Sequence, residues 1–115
     1  MTITPYEQNF GTAYQQSLVT LGQALHQIVR HFGADTVYGV GGDFAANLIA
    51  ALDHDGLTVS PASNEMHAGF CACAQAETQG IGFCLTTYTV GSLPCTSAAA
   101  LAKTEGLPVV FISGA

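Results

Sequence analysis

The sequence predicts an α/β domain, a doubly wound parallel sheet with helices on both faces. Three observations predict it. Segments with apolar residues at helical spacing alternate with short β-rich runs, in the repeated order helix then strand. The connections between them are a few residues long and marked by Gly, Pro or Asp, as right-handed crossovers between parallel strands allow. Two of the strand runs, Ile81 to Leu85 and Leu107 to Ile112, are nearly continuous in apolar residues. Strands buried on both faces carry that pattern.

Met1 to Ser17 is polar with scattered aromatics and reads as an N-terminal arm, leaving residues 18–115 as the domain. Thr20-Leu21-Gly22-Gln23 matches a capping box, with Thr20 as cap and Gln23 reaching back. Leu21, Ala24, Leu25, Ile28, Val29 and Phe32 then follow at helical spacing, and Gly33 ends the helix. Thr36 to Val40 predicts the first strand. Gly39 to Asp43 is a turn, with Asp43 placed to cap a second helix over Phe44 to Asp53. Leu57 to Ala62 is the second strand, and Asn64 to Gln79 the third helix, broken by Gly80. Gly82 to Thr87 is the third strand and Tyr88 to Gly91 a turn. Ser92 to Glu105 is the fourth helix, with Pro94 in its first turn, where no amide donor is needed. Pro108 to Ser113 is the fourth strand. The sequence stops directly after it, at Ser113-Gly114-Ala115, where a doubly wound domain usually continues into another helix. A domain cut short after the fourth strand is the expectation.

Composition narrows the function. Only Arg30 and Lys103 are basic, against eight acidic residues, for a net charge of −6. Without a basic patch to meet phosphates, nucleic acid and anionic membranes are excluded as partners. No apolar run approaches the ~18 residues of a membrane helix, and Met1 to Gln15 lacks the basic and apolar parts of a signal peptide. Charged residues make up 9% of the chain, against ~25% in ordinary soluble domains. Much of the surface is therefore expected to be covered by other domains or subunits. Cys71, Cys73, Cys84 and Cys95 lack metal-ligand spacing and read as buried free thiols, which makes the cytoplasm the default compartment. The small residues of the third helix (Ala68, Gly69, Ala72, Cys73, Ala76) and of the fourth (Ser97 to Ala100, Ala102) fit two arrangements: tight packing on the sheet, or close contact with a partner subunit.

Few residues qualify for chemistry. Gly39-Val40-Gly41-Gly42 follows a strand, but Phe44 stands where a dinucleotide fingerprint needs its third Gly, and Asp43 would repel a pyrophosphate. No pair among His26, His31, His54 and His67 has metal-ligand spacing on one face, so no metal site is expected. His67 and Cys71 stand at i, i+4 and could meet as a nucleophile and base. Glu65 is the stronger candidate. It falls where a strand ends and a helix begins, the edge of an open α/β sheet where ligands bind. The helix start favours its anionic form while burial opposes it.

Four stretches in order carry a resemblance. They are Gly39-Val40-Gly41-Gly42-Asp43-Phe44, Asn64-Glu65-Met66-His67-Ala68-Gly69, Thr86-Thr87-Tyr88-Thr89-Val90-Gly91-Ser92-Leu93, and Leu107-Pro108-Val109-Val110-Phe111-Ile112-Ser113-Gly114. From Thr20 onward the chain resembles the pyrimidine-binding, N-terminal domain of thiamine diphosphate-dependent enzymes, in the branch of 2-keto acid decarboxylases such as pyruvate and indolepyruvate decarboxylase. The resemblance implies the thiamine diphosphate-binding fold and non-oxidative cleavage of a C–C bond. It implies that Glu65 hydrogen-bonds the cofactor's aminopyrimidine ring nitrogen, favouring the imino tautomer that deprotonates the thiazolium carbon. It implies Asp43 as an acid–base group near a 2-keto acid substrate. Thr87, Thr89, Val90 and Gly91 would line the pyrimidine pocket. The diphosphate and its Mg2+ would be held by a separate domain of the same or another subunit, in a homodimer or homotetramer, because no Gly-Asp-Gly segment occurs here. An acetolactate synthase-like carboligase and a non-catalytic subunit of the same fold are the alternative readings.

Overall fold

A computed structural model describes residues 19–115; the expected arm, residues 1–17, lies outside them. Helix α1 (Leu21–His31) starts at the expected capping box. The Gln23 amide N–H donates to Thr20 Oγ1 at 3.2 Å, and the Thr20 N–H donates to Gln23 Oε1 at 2.9 Å. Arg30 and His31 complement the helix dipole in the last turn, and Gly33 leaves the helix with φ +80°. There follow β1 (Thr36–Gly39), α2 (Asp43–Leu52), β2 (Thr58–Pro61), α3 (Glu65–Gln79) and β3 (Gly82–Thr87). A 3-10 turn (Leu93–Cys95) leads into α4 (Thr96–Glu105), and β4 (Val109–Gly114) closes the described chain.

The four strands form one parallel sheet in the order β2-β1-β3-β4. Strands alternate their side chains between faces, and the core divides accordingly. Val37, Phe83 and Leu85 face α1 and α2, packing with Val29, Leu52 and Leu57. Cys84 and Tyr38 face α3 and α4, packing with Ala68, Ala72 and Cys95. The predicted doubly wound arrangement is therefore the observed one. Strand order reverses between β1, which is followed by a turn toward β2, and β3, which is followed by a turn toward β4. The crevice at the carboxyl ends of β1 and β3 is the topological switch point, where such sheets take ligands.

Four local expectations are corrected. Asp43 does not cap α2: Gly42 is the extended N-cap residue and makes no side-chain bond, and Asp43 is the first helical residue. Its carboxylate still sits in the first turn, where the dipole favours it. The fourth helix begins later than Ser92, because Pro94 stands within the 3-10 turn that precedes α4. β4 is not buried on both faces. It is an edge strand, with Val110 and Phe111 exposed, while β3, paired on both sides, is buried from Gly82 to Thr86. Apolar continuity reported how hydrophobic the strand is, not how much of it this chain covers. Lastly, Cys71 is exposed, whereas Cys73, Cys84 and Cys95 are buried.

The small residues of α3 and α4 meet each other within the chain. A Cβ on Gly69 would lie 2.6 Å from Ala98 Cβ. Ala98 and Ala102 are buried with Cys73 against Leu107 and Val109. The two helices thus approach both the sheet and one another. Gln75, 4% exposed, ties α3 to two strands: Nε2 donates to the Thr36 carbonyl at 2.9 Å, and Oε1 accepts from the Phe83 N–H at 3.1 Å. Gln75→Leu keeps volume but leaves both backbone groups unpaired. It is expected to destabilise the full-length protein by about 1–3 kcal/mol, seen as a lowered thermal midpoint; an unchanged midpoint would show that water replaces the amide.

At the opposite edge of the sheet the loop after α2 is fastened to α1. His26 Nε2–H donates to the His54 carbonyl at 3.0 Å, with the two rings stacked 4.3 Å apart. His54 pairs with Asp55 at 3.0 Å, and Arg30 donates to the Gly56 carbonyl at 3.1 Å. His26 is thus half-covered rather than a plain surface residue, and His31 is exposed.

Candidate functional site

Glu65 lies at the first position of α3, at the carboxyl end of β2. Its helix starts there because Asn64 is extended and its Oδ1 accepts from the His67 N–H at 2.9 Å. Glu65 is partly exposed, and among the described residues its carboxylate forms no ion pair; no buried side-chain oxygen there lacks a partner, so its oxygens reach solvent. The helix N-terminus supplies the nearest favourable dipole.

Asp43 starts α2 after β1, and its side chain is exposed. The turn before it touches the end of β3: a Cβ on Gly42 would lie 2.7 Å from Thr87 Cγ2. Phe44, next to Asp43, packs edge-to-face on Tyr88 with ring centroids 5.0 Å apart. The loops after β1 and β3 therefore meet at the switch point, through Gly42 with Thr87 and Phe44 with Tyr88, although more than forty positions separate them in the sequence.

The turn after β3 is constrained. Thr89 has φ +53°, a left-handed conformation uncommon outside glycine. Gly91 is buried, and a Cβ there would lie 2.3 Å from Thr87 Oγ1 and 2.7 Å from the Thr87 carbonyl oxygen. Only glycine lets the turn fold back on Thr87 so closely. The fold-back thrusts Val90 outward, leaving it 79% exposed, with Leu93 beside it also exposed.

Cys95 joins the two halves of this edge, and sequence reading did not single it out. Its Sγ–H donates to the backbone carbonyl of Glu65 at 3.1 Å, and Sγ lies 3.9 Å from the Gly91 carbonyl oxygen and 4.0 Å from Cys84 Sγ. Burial pushes the Cys95 thiol up from its ordinary range; the Cys84 hydrogen bond lowers it and the Glu65 charge raises it. Burial pushes Cys84 up as well, reinforced by the neighbouring thiols. Both thus stay protonated at neutral pH and are poor nucleophiles. The only available signal was the position of Cys95 one helical turn before Ala98, the residue that faces Gly69.

The other nucleophilic pairing considered does not form. His67 Nδ1 is hydrogen-bonded to Ser63 Oγ, and no bond joins it to Cys71. Among the described residues no group of three or more His, Cys, Asp or Glu is placed to hold a metal ion, and no helix is long and apolar enough to cross a membrane.

The chain is thus an open parallel α/β domain with Glu65 at a helix start on the carboxyl edge of its sheet. The family of the thiamine pyrophosphate enzyme, N-terminal TPP binding domain, matches residues 19–115, and the chain belongs to it. Among curated relatives, the chain is 42% identical over 96 residues to pyruvate decarboxylase 1 of Zea mays, covering 83% of this chain and 16% of that protein. It is 40% identical over 96 residues to pyruvate decarboxylase 1 of Oryza sativa subsp. indica, with the same coverage. Pyruvate decarboxylase 3 of Arabidopsis thaliana is 34% identical over 114 residues, covering 98% of this chain and 19% of that protein. The chain spans less than a fifth of the length of these relatives.

The residues present fit the pyrimidine part of the family's cofactor. A partly exposed carboxylate without an ion-pair partner among the described residues suits a ring nitrogen, and the exposed Val90 suits the ring face.

Proposed function

We propose that residues 18–115 are the pyrimidine-binding region of a thiamine diphosphate-dependent 2-keto acid decarboxylase. One observation carries the reading: in a chain of this family, Glu65 stands partly exposed at a helix start on the ligand edge of the sheet, its carboxylate without an ion-pair partner among the described residues. A carboxylate so placed is satisfied by a ring nitrogen that carries or shares a proton. When bound, thiamine diphosphate supplies the electron sink that lets the carboxylate of a 2-keto acid leave as carbon dioxide. Glu65 holds the proton shared with the pyrimidine ring nitrogen. Thr87, Thr89, Val90 and Gly91 form the wall against which the ring is seated. Asp43, exposed and next in sequence to Phe44, which packs on Tyr88, faces the substrate side and exchanges protons with it. The diphosphate and Mg2+ are held by another domain, in the same or a second subunit of a homodimer or homotetramer in the cytoplasm. Similarity to pyruvate decarboxylases favours pyruvate as substrate.

The test is calorimetric titration of the full-length protein with thiamine diphosphate and Mg2+, followed by assay of carbon dioxide and aldehyde release from a panel of 2-keto acids. Saturable heat and aldehyde formation are expected, with pyruvate among the substrates. An absence of heat would favour a non-catalytic subunit of the same fold. Acetolactate in place of the aldehyde would move the reading to a carboligase.

A further inference from the structure

We propose that Cys95 is a positioning residue that holds the start of α3, and with it Glu65, against the turn at Thr89 to Gly91. The inference rests on the reading of Glu65 and that turn as the two sides of the pyrimidine site. Glu65 follows β2, whereas the turn follows β3, so the sheet alone does not fix one against the other. Cys95 is 5% exposed and stands between them. Its thiol donates to the Glu65 carbonyl at 3.1 Å and lies 3.9 Å from the Gly91 carbonyl oxygen. Gly69, one turn after Glu65, lets α4 approach α3: a Cβ there would lie 2.6 Å from Ala98 Cβ, while Cys95 Sγ stands at an ordinary contact distance of 3.9 Å. The Pro94-containing 3-10 turn sets the thiol at the mouth of α4, and Cys84 Sγ closes the space behind it at 4.0 Å.

The bond goes to the backbone of the residue whose side chain does the chemistry. Burial keeps the thiol protonated, so the donor persists at neutral pH. Loss of the bond frees the first turn of α3 to shift, and small misplacements of a catalytic group lower turnover more than binding. Substrate binding, remote from this bond, is unaffected.

The experiment compares Cys95→Ala, which removes the donor, with Cys95→Ser, which keeps one, in the full-length protein. Amide hydrogen exchange is followed by mass spectrometry, and steady-state kinetics with pyruvate are measured alongside. Cys95→Ala is expected to raise exchange in peptides covering 64–68 and 88–92 but not in 82–86. It is expected to lower kcat about 3- to 10-fold, the range a single hydrogen bond supports, with KM for pyruvate unchanged. Cys95→Ser restores both readouts to within about 2-fold. Unchanged exchange in both segments of Cys95→Ala, or a Cys95→Ser variant as impaired as Cys95→Ala, would overturn the proposal. The exchange measurement needs no cofactor. If the wild-type protein fails to turn over 2-keto acids, the proposed function falls, while exchange still decides whether Cys95 ties the two segments together.

Discussion

Glu65→Gln in the full-length protein is expected to lower kcat for 2-keto acid decarboxylation by about 10²- to 10⁴-fold, the range for loss of a positioned acid–base group. The substitution keeps the size of the side chain and its ability to hydrogen-bond, and removes only the charge and the proton it shares. Because Glu65 starts α3 without capping it, the helix loses little: Asn64 supplies the cap through the His67 N–H. Folding should therefore be preserved, with a loss of no more than about 1 kcal/mol from the helix dipole. The contribution of charge is thereby separated from that of structure. Thiamine diphosphate should still bind, since its diphosphate is held elsewhere in the proposed assembly. Turnover near wild type would remove Glu65 from the mechanism.

The largest expected effect on stability is at Gly82. A Cβ at this position would lie 1.8 Å from the carbonyl oxygen of Ala72 and 2.7 Å from its carbonyl carbon. Both atoms belong to the backbone of α3 and cannot swing aside as a flexible side chain could. Gly82→Ala must therefore push α3 away from β3, straining the buried contacts of Ala68, Ala72 and Cys84. A cost of about 3 kcal/mol or more is expected, at or above the upper end of ordinary overpacking. It would be read as a fall of several degrees in the first thermal transition of the full-length protein, or as loss of soluble protein. Gly41→Ala is the control, since only Ile49 Cδ1 lies near a Cβ there, at 4.0 Å. Its stability should stay within about 0.5 kcal/mol of wild type. Equal effects at the two positions would show that glycine entropy, not the approach of α3 to β3, governs Gly82.

These positions also show what could be read beforehand. The capping box at Thr20 and Gln23, the helix-ending glycines and the buried run of β3 are local signals, each produced by a few neighbouring residues. They are found where expected. Glu65 was legible for the same reason: a polar residue just past a strand, followed by a run of small residues, places a carboxylate at a helix start. The misreadings arose where a residue's state depends on something distant. Asp43 and Gly42 compete for one capping position, and the close approach of Thr87 favours glycine there. β4 reads as a buried strand from its apolar content, but nothing in its own residues says whether a further element covers its outer edge.

The sequence by itself determined the order of elements, the parallel alternation and the placement of Glu65 and Asp43 at two helix starts, because helical and strand periodicities and capping chemistry act over a few residues. Only the tertiary structure decided that the turns after β1 and β3 touch through Gly42 and Thr87, that α3 and α4 use their small residues on each other, and that Cys95 ties Glu65 to the turn at Gly91. Such contacts join residues tens of positions apart. They are set by how closely backbones approach, a quantity that depends on both partners at once and that neither segment encodes alone.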